Sequence, residues 1–131
     1  MDSATVEFVR RRAGNRCEYC LVPQSAFPRA AFHIEHIIAK QHGGTSDLSN
    51  LALACGRCNL YKGPNLTGID AQSGNITLLF HPRRDNWNTH FALTSGAVTG
   101  LTEMGRATTR LLAMNAPDRI AIRLELNVTP S

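Results

Sequence analysis

Four cysteines in two C-x2-C pairs, Cys17/Cys20 and Cys55/Cys58, constrain this 131-residue chain more than any other feature. Two residues between thiols let a tight turn aim both sulfurs at one point, and two such turns complete a tetrahedral S4 site that suits Zn2+ without geometric strain. Two disulfides or four unrelated buried thiols are the alternatives. The start, MDSATVEFVRRR, lacks the apolar stretch that follows the basic residues of a secretory signal. A reducing, cytoplasmic location is therefore expected, and there paired cysteines serve as metal ligands more often than as disulfides. The 34 residues that separate the pairs exceed the commonest zinc-ribbon spacing, so something is inserted between the knuckles.

Composition bounds the rest. With 43% hydrophobic and 18% charged residues, the chain reads as one ordinary domain rather than a disordered tail, and no apolar run is long enough for a transmembrane helix. The net charge of +4 is a mild bias towards polyanions. Residues 1–65 hold eight basic and five acidic side chains, residues 66–131 six and five. The charge excess and all four cysteines thus fall in the first half, where chemistry is expected.

Periodicity predicts a helix over 3–14, a loop over 21–30 and a strand over 31–38, with His33, Glu35 and Ile37 on one face and Ile34, His36 and Ile38 on the other. A second strand is expected over 51–54 and a helix over 55–62 that Gly63-Pro64 stops. Strands at 76–80, 90–93 and 97–101 follow, the last two joined at Ser95-Gly96, then a helix N-capped by Thr102. Residues 118–128 are ambiguous: Pro117 suits a first helical turn, whereas Ile120, Ile122, Leu124, Leu126 and Val128 alternate like a strand.

The insertion carries the chemistry. It holds His33-Ile-Glu35-His36-Ile-Ile, Gly43-Gly44 and Ser49-Asn50-Leu51, and Asn59 follows the last cysteine. A carboxylate and a carboxamide oxygen, from Glu35 and Asn59, are hard ligands suited to Mg2+ or Mn2+. A neutral imidazole beside such a metal removes a proton from water near pH 7. Gly43-Gly44 is read as backbone freedom in the loop and not as a phosphate cradle.

These residues resemble the HNH endonuclease family, whose ββα-metal (His-Me finger) motif runs strand, loop, strand, helix. The family pattern D/E-H-I-I-x4-G-G-x5-N-L-x-L-x-C-x2-C-N-x2-K is matched by Glu35-His36-Ile37-Ile38, Gly43-Gly44, Asn50-Leu51, Leu53, Cys55, Cys58-Asn59 and Lys62. With the upstream knuckle the resemblance covers residues 17–63. Phe80-His-Pro-Arg-Arg84, Trp87, His90-Phe91 and the Gly100–Ala107 stretch also look like the tail of small bacterial members.

The resemblance implies an α+β fold: an HNH core (17–63) stapled by a structural zinc on the four cysteines, with an N-terminal helix and a strand/helix extension (64–131) packed on it, all one domain over 1–131. It implies metal-dependent hydrolysis of nucleic-acid phosphodiesters, expected to be double-stranded DNA. His36 matches the general base, and Asn50 matches the residue that ties the loop to the backbone and orients that base. Glu35 and Asn59 match the ligands of a catalytic Mg2+ or Mn2+. Two departures bear on the metal: Asn59 stands where His is common, which favours Mg2+ or Mn2+ over softer ions, and Glu35 stands where Asp is commoner.

Arg57, Lys62, Arg83 and Arg84 are expected to contact nucleic acid, with a solvated charged face as the plain alternative. His33 has two readings, a supporting histidine of the same cleft and a satisfied structural one. The competing functions are a zinc-stapled module that binds nucleic acid without cutting it, and a zinc domain for protein contacts. Specificity is expected to be weak or borrowed from a second copy or a partner protein. Target sequence, DNA against RNA and biological role leave no trace in the sequence.

Overall fold

A computed structural model describes residues 1–130. Helix α1 (Ser3–Arg12) starts where the Asp2 carboxylate accepts the Thr5 N–H at 2.7 Å. The chain then folds tightly around Cys17–Cys20: Cys17 N donates to Val22 O, Leu21 N donates to Cys17 O, and Arg16 bridges to Pro23. Strands β1 (His33–His36) and β2 (Leu51–Ala54) pair antiparallel, with Glu35 opposite Ala52 and His36 opposite Leu51. Helix α2 (Gly56–Lys62) follows, with Cys55 as its N-cap. Strand, loop, strand and helix therefore run in the expected order.

Every residue of β2 is buried because α1 and α2 both pack on it. This explains its unbroken apolar run, Leu-Ala-Leu-Ala. Arg12 fixes α1 to the strand, donating to Leu48 O at 3.0 Å and Leu51 O at 2.7 Å. Arg10 likewise donates to Phe32 O at 3.0 Å.

The second half adds a hairpin of β3 (Thr67–Ile69) and β4 (Ile76–Leu78), a single turn α3 (Trp87–His90), and a hairpin of β5 (Phe91–Thr94) and β6 (Ala97–Gly100). Ser95 and Gly96 both take positive φ, the conformation a two-residue hairpin turn needs. Helix α4 (Glu103–Leu111) begins where the Thr102 hydroxyl accepts the Gly105 N–H, and it backs both hairpins. The expected strand over 31–38 is shorter at both ends, and β3 is an element that the sequence pattern did not disclose.

Residues 118–128 resolve in favour of helix: α5 spans Pro117–Glu125 with Pro117 in its first turn. The alternating apolar residues do not share a buried face, since Leu124 and Leu126 are more than half exposed. The side chains that α5 buries are Arg119 and Arg123. Among the described residues, no helix is long and apolar enough to cross a membrane.

Candidate active site and metal centre

The four cysteines meet. All are buried and none is in a disulfide, and their sulfurs lie within 4.8 Å of one another. Cys20 and Cys55 Sγ are 3.7 Å apart. A tetrahedron with Zn–S bonds of about 2.3 Å has edges of about 3.8 Å, so the cluster has the dimensions of a zinc site. Cys55 also accepts the Cys58 N–H at the start of α2, where the helix end favours negative charge on sulfur.

Two buried arginines support ionised sulfur. Arg119 brings Nη2 to 3.9 Å from Cys55 Sγ, with its guanidinium stacked 4.6 Å from the Phe27 ring. Arg123, 1% exposed, donates to Gly96 O, Cys20 O and Met114 O at 2.7, 3.2 and 2.6 Å. A buried cation is costly without a compensating anion. Four thiolates and one Zn2+ carry a net −2, and Arg119 with Arg123 carry +2. With neutral thiols Arg119 would keep its ion pair with Asp118 at 2.8 Å, and Arg123 would be left without an anion. Two arginines four residues apart on one face of the helix were the available signal, and sequence reasoning missed them.

His36 ends β1, half-buried, with Nε2 3.0 Å from the Ser46 hydroxyl. Burial, and to a lesser degree the Lys40 charge, hold its pKa below the ordinary 6.5, so the ring is neutral at physiological pH. Asn50 is buried behind it. Its Oδ1 accepts the Ile38 N–H at 2.9 Å, while Nδ2 donates to Ile38 O at 3.0 Å and Thr45 O at 2.8 Å. One carboxamide thus clamps both ends of the loop between the strands and sets Ser46 against His36. Gly44 completes the loop: a Cβ there would lie 1.7 Å from Ile38 O, so only glycine fits. Ser46 carried no signal in the sequence.

Glu35 is 6% exposed. The Tyr19 hydroxyl donates to its Oε1, and Lys62 Nζ lies 3.7 Å from Oε2. Burial pushes the Glu35 carboxyl pKa up, and Lys62 and Tyr19 oppose that push. Asn59 sits half-buried on α2, the helix that packs on β1 and β2, and its side chain makes no hydrogen bond among the described residues. A carboxylate and a carboxamide are both hard oxygen donors of the kind Mg2+ or Mn2+ takes. An ion at Glu35 has to share that carboxylate with the Lys62 ammonium. His33 is exposed at the start of β1 and makes no hydrogen bond to His36.

Three of the four side chains expected to contact nucleic acid are engaged within the protein. Lys62 is 2% exposed, and its ammonium donates to Ile37 O at 2.7 Å, folded inward where no phosphate reaches it. Arg57 makes a two-point ion pair with Asp118 at 2.9 and 3.1 Å, tying α2 to α5. Arg83 pairs with Glu18 in a largely buried position. Arg84 is exposed and makes no ion pair among the described residues. Short basic runs look alike in sequence whether they face solvent or a carboxylate.

The family model for HNH endonuclease matches residues 17–65. No curated protein and no solved structure matches the chain.

Proposed function

We propose, on the match of residues 17–65 to the HNH endonuclease family model, that the chain, acting as one unit over 1–131, cuts phosphodiester bonds of double-stranded DNA with His36 as general base. The observation that carries this reading is the Asn50 clamp, which holds the loop so that Ser46 meets His36. With Nε2–H donated to the Ser46 hydroxyl the ring is held, and Nδ1 of the neutral imidazole keeps the lone pair that accepts a proton from water. Glu35 and Asn59 would hold Mg2+ or Mn2+. When bound, such an ion polarises the scissile phosphate and stabilises charge on the leaving 3′ oxygen. Arg84 offers its free guanidinium to the backbone.

Zinc on the four cysteines is structural in this reading. A core this small buries little apolar area, so the metal contributes much of its folding energy. The reducing cytoplasm keeps the thiols available for it. Strand specificity and the cutting of both strands fall to a second copy or a partner protein.

One observation favours a second reading, a module that binds nucleic acid without cutting it: the Lys62 ammonium already stands against the Glu35 carboxylate as its cation. Relaxation of supercoiled plasmid in Mg2+ or Mn2+ separates the two. Wild type is expected to nick, and His36→Ala to be slower by at least ~10²-fold. Equal rates for the two proteins would remove His36 as the base, and binding without nicking by wild type would favour the module.

A further inference from the structure

We propose that Tyr19 is a positioning residue that links the first cysteine knuckle to Glu35 and thereby sets divalent-metal affinity at the Glu35–Asn59 position. The proposal rests on the nuclease reading above. Tyr19 directly precedes Cys20 and is completely buried. Its hydroxyl donates to Glu35, the hydrogen bond that fixes one carboxylate oxygen. The side chain has little freedom of its own. The ring meets Phe80 edge-on at 6.3 Å, and the Trp87 indole N–H donates to the Tyr19 carbonyl at 2.9 Å.

The other side of the carboxylate is held by Lys62, which is itself anchored on Ile37 O. Glu35 is therefore clamped between a residue of the zinc knuckle and the last residue of α2. Both clamps are tied to the cysteines, Lys62 through the helix that Cys55 caps and Tyr19 more directly, because its backbone lies inside the C-x2-C turn. Zinc in the knuckle holds the turn, the turn holds the phenol, and the phenol orients the carboxylate. Two metal positions linked through one side chain are coupled, and the coupling is reciprocal: a divalent ion on Glu35 tightens zinc retention.

Partners that orient a metal ligand typically carry ~10–100-fold in metal affinity. The experiment is a Mn2+ titration followed by electron paramagnetic resonance on zinc-loaded wild type, Tyr19→Phe and Glu35→Gln, with zinc content and circular dichroism measured on each. Tyr19→Phe is expected to keep its zinc and its fold while binding Mn2+ at least ~10-fold more weakly, with Glu35→Gln weaker still. A packing role alone lowers the melting temperature and leaves Mn2+ affinity unchanged, which overturns the proposal.

If Tyr19→Phe loses zinc, the wild-type hydrogen bond is read directly. In protein labelled with 13C at tyrosine Cζ, the Tyr61→Phe variant leaves one resonance, that of Tyr19. Mg2+ is expected to shift it along the same saturation curve as binding. Saturation without a shift overturns the proposal. Wild type that nicks plasmid and binds Mn2+ alongside an indifferent Tyr19→Phe removes only the positioning role. Wild type that neither binds Mn2+ nor nicks removes the nuclease reading and this role together.

Discussion

Arg123, on the last helix, donates to the carbonyl of Cys20 in the first knuckle at 3.2 Å, across 103 residues of chain. Arg119 faces Cys55 from one turn earlier on the same helix. The cysteine cluster is thus enclosed by residues from both halves of the chain, and its net −2 with zinc would face two guanidiniums, of which Arg119 also holds Asp118.

It follows that removing zinc releases α5 as well as the knuckles. Without the metal the thiols protonate, and Arg123 is left buried with no compensating charge. A strong chelator is expected to abolish the helical signal of both halves together, measured by far-ultraviolet circular dichroism. Arg123→Met, at saturating zinc, is expected to lose about 3 kcal/mol in urea unfolding and to release zinc faster to a chromophoric chelator. Retention of α5 after complete zinc removal, seen as protected amides on that helix, would contradict this.

The acid limb of the nicking rate follows from His36. The base works in its neutral form, so the rate rises as pH climbs through the His36 pKa, and burial with the Lys40 charge places that pKa below 6.5. Glu35 must also be ionised to hold a metal, and burial moves its pKa up from 4.5. Lys40→Glu removes a cation and adds an anion beside the imidazole, which favours its charged form. The limb in kcat/KM is therefore expected to move to higher pH in Lys40→Glu at low salt, and a shift to lower pH would be inconsistent with His36 as the base.

Asn50 makes a second test of the same base. Asn50→Ala leaves Ile38 N–H and two carbonyls without their partner, at a cost of about 2 kcal/mol in stability. Asn50→Asp keeps the acceptor for Ile38 N–H and loses the donors to Ile38 O and Thr45 O, so it frees the loop at Thr45 while Ile38 stays tied through its N–H. With Ser46 no longer held against His36, nicking in Asn50→Asp is expected to fall by ~10²-fold at unchanged zinc content. Normal kcat in a folded Asn50→Asp protein would show that the loop clamp has no part in the chemistry.

The contrast between these residues and the basic ones shows what a sequence discloses. Cysteine spacing, the Glu35-His36 pair and Asn50 were legible because each requires a particular residue type at a fixed offset. The Thr102 cap and the Ser95-Gly96 turn were legible for the same reason. Helix α5 was not, because Ile120 to Val128 alternates like a strand while the decisive contacts, Arg119 and Arg123 to the cysteines, lie more than 60 residues away in sequence. Strand β3 has only Thr67-Gly68-Ile69, too short for any period to register. Lys62 read as a phosphate ligand because nothing local says that its ammonium turns back onto Ile37 O.

That difference between free and engaged cations gives the last prediction. Nucleic-acid affinity falls with salt in proportion to the phosphates neutralised, and losing one contact lowers the slope of log K against log salt by about 1. Arg84 has an exposed guanidinium with no ion-pair partner among the described residues, whereas Arg57 is committed to Asp118. In a catalytically silent His36→Ala background, Arg84→Ala is expected to weaken binding across all DNA sequences and to reduce the slope by about 1. Arg57→Ala is expected to leave the slope unchanged and to loosen the contact between α2 and α5. Fluorescence anisotropy on a labelled duplex at several salt concentrations reads both. A reduced slope for Arg57→Ala together with a normal one for Arg84→Ala would reverse the assignment and place the bound DNA over α2, because the phosphate would then have to displace Asp118 from its two-point pair.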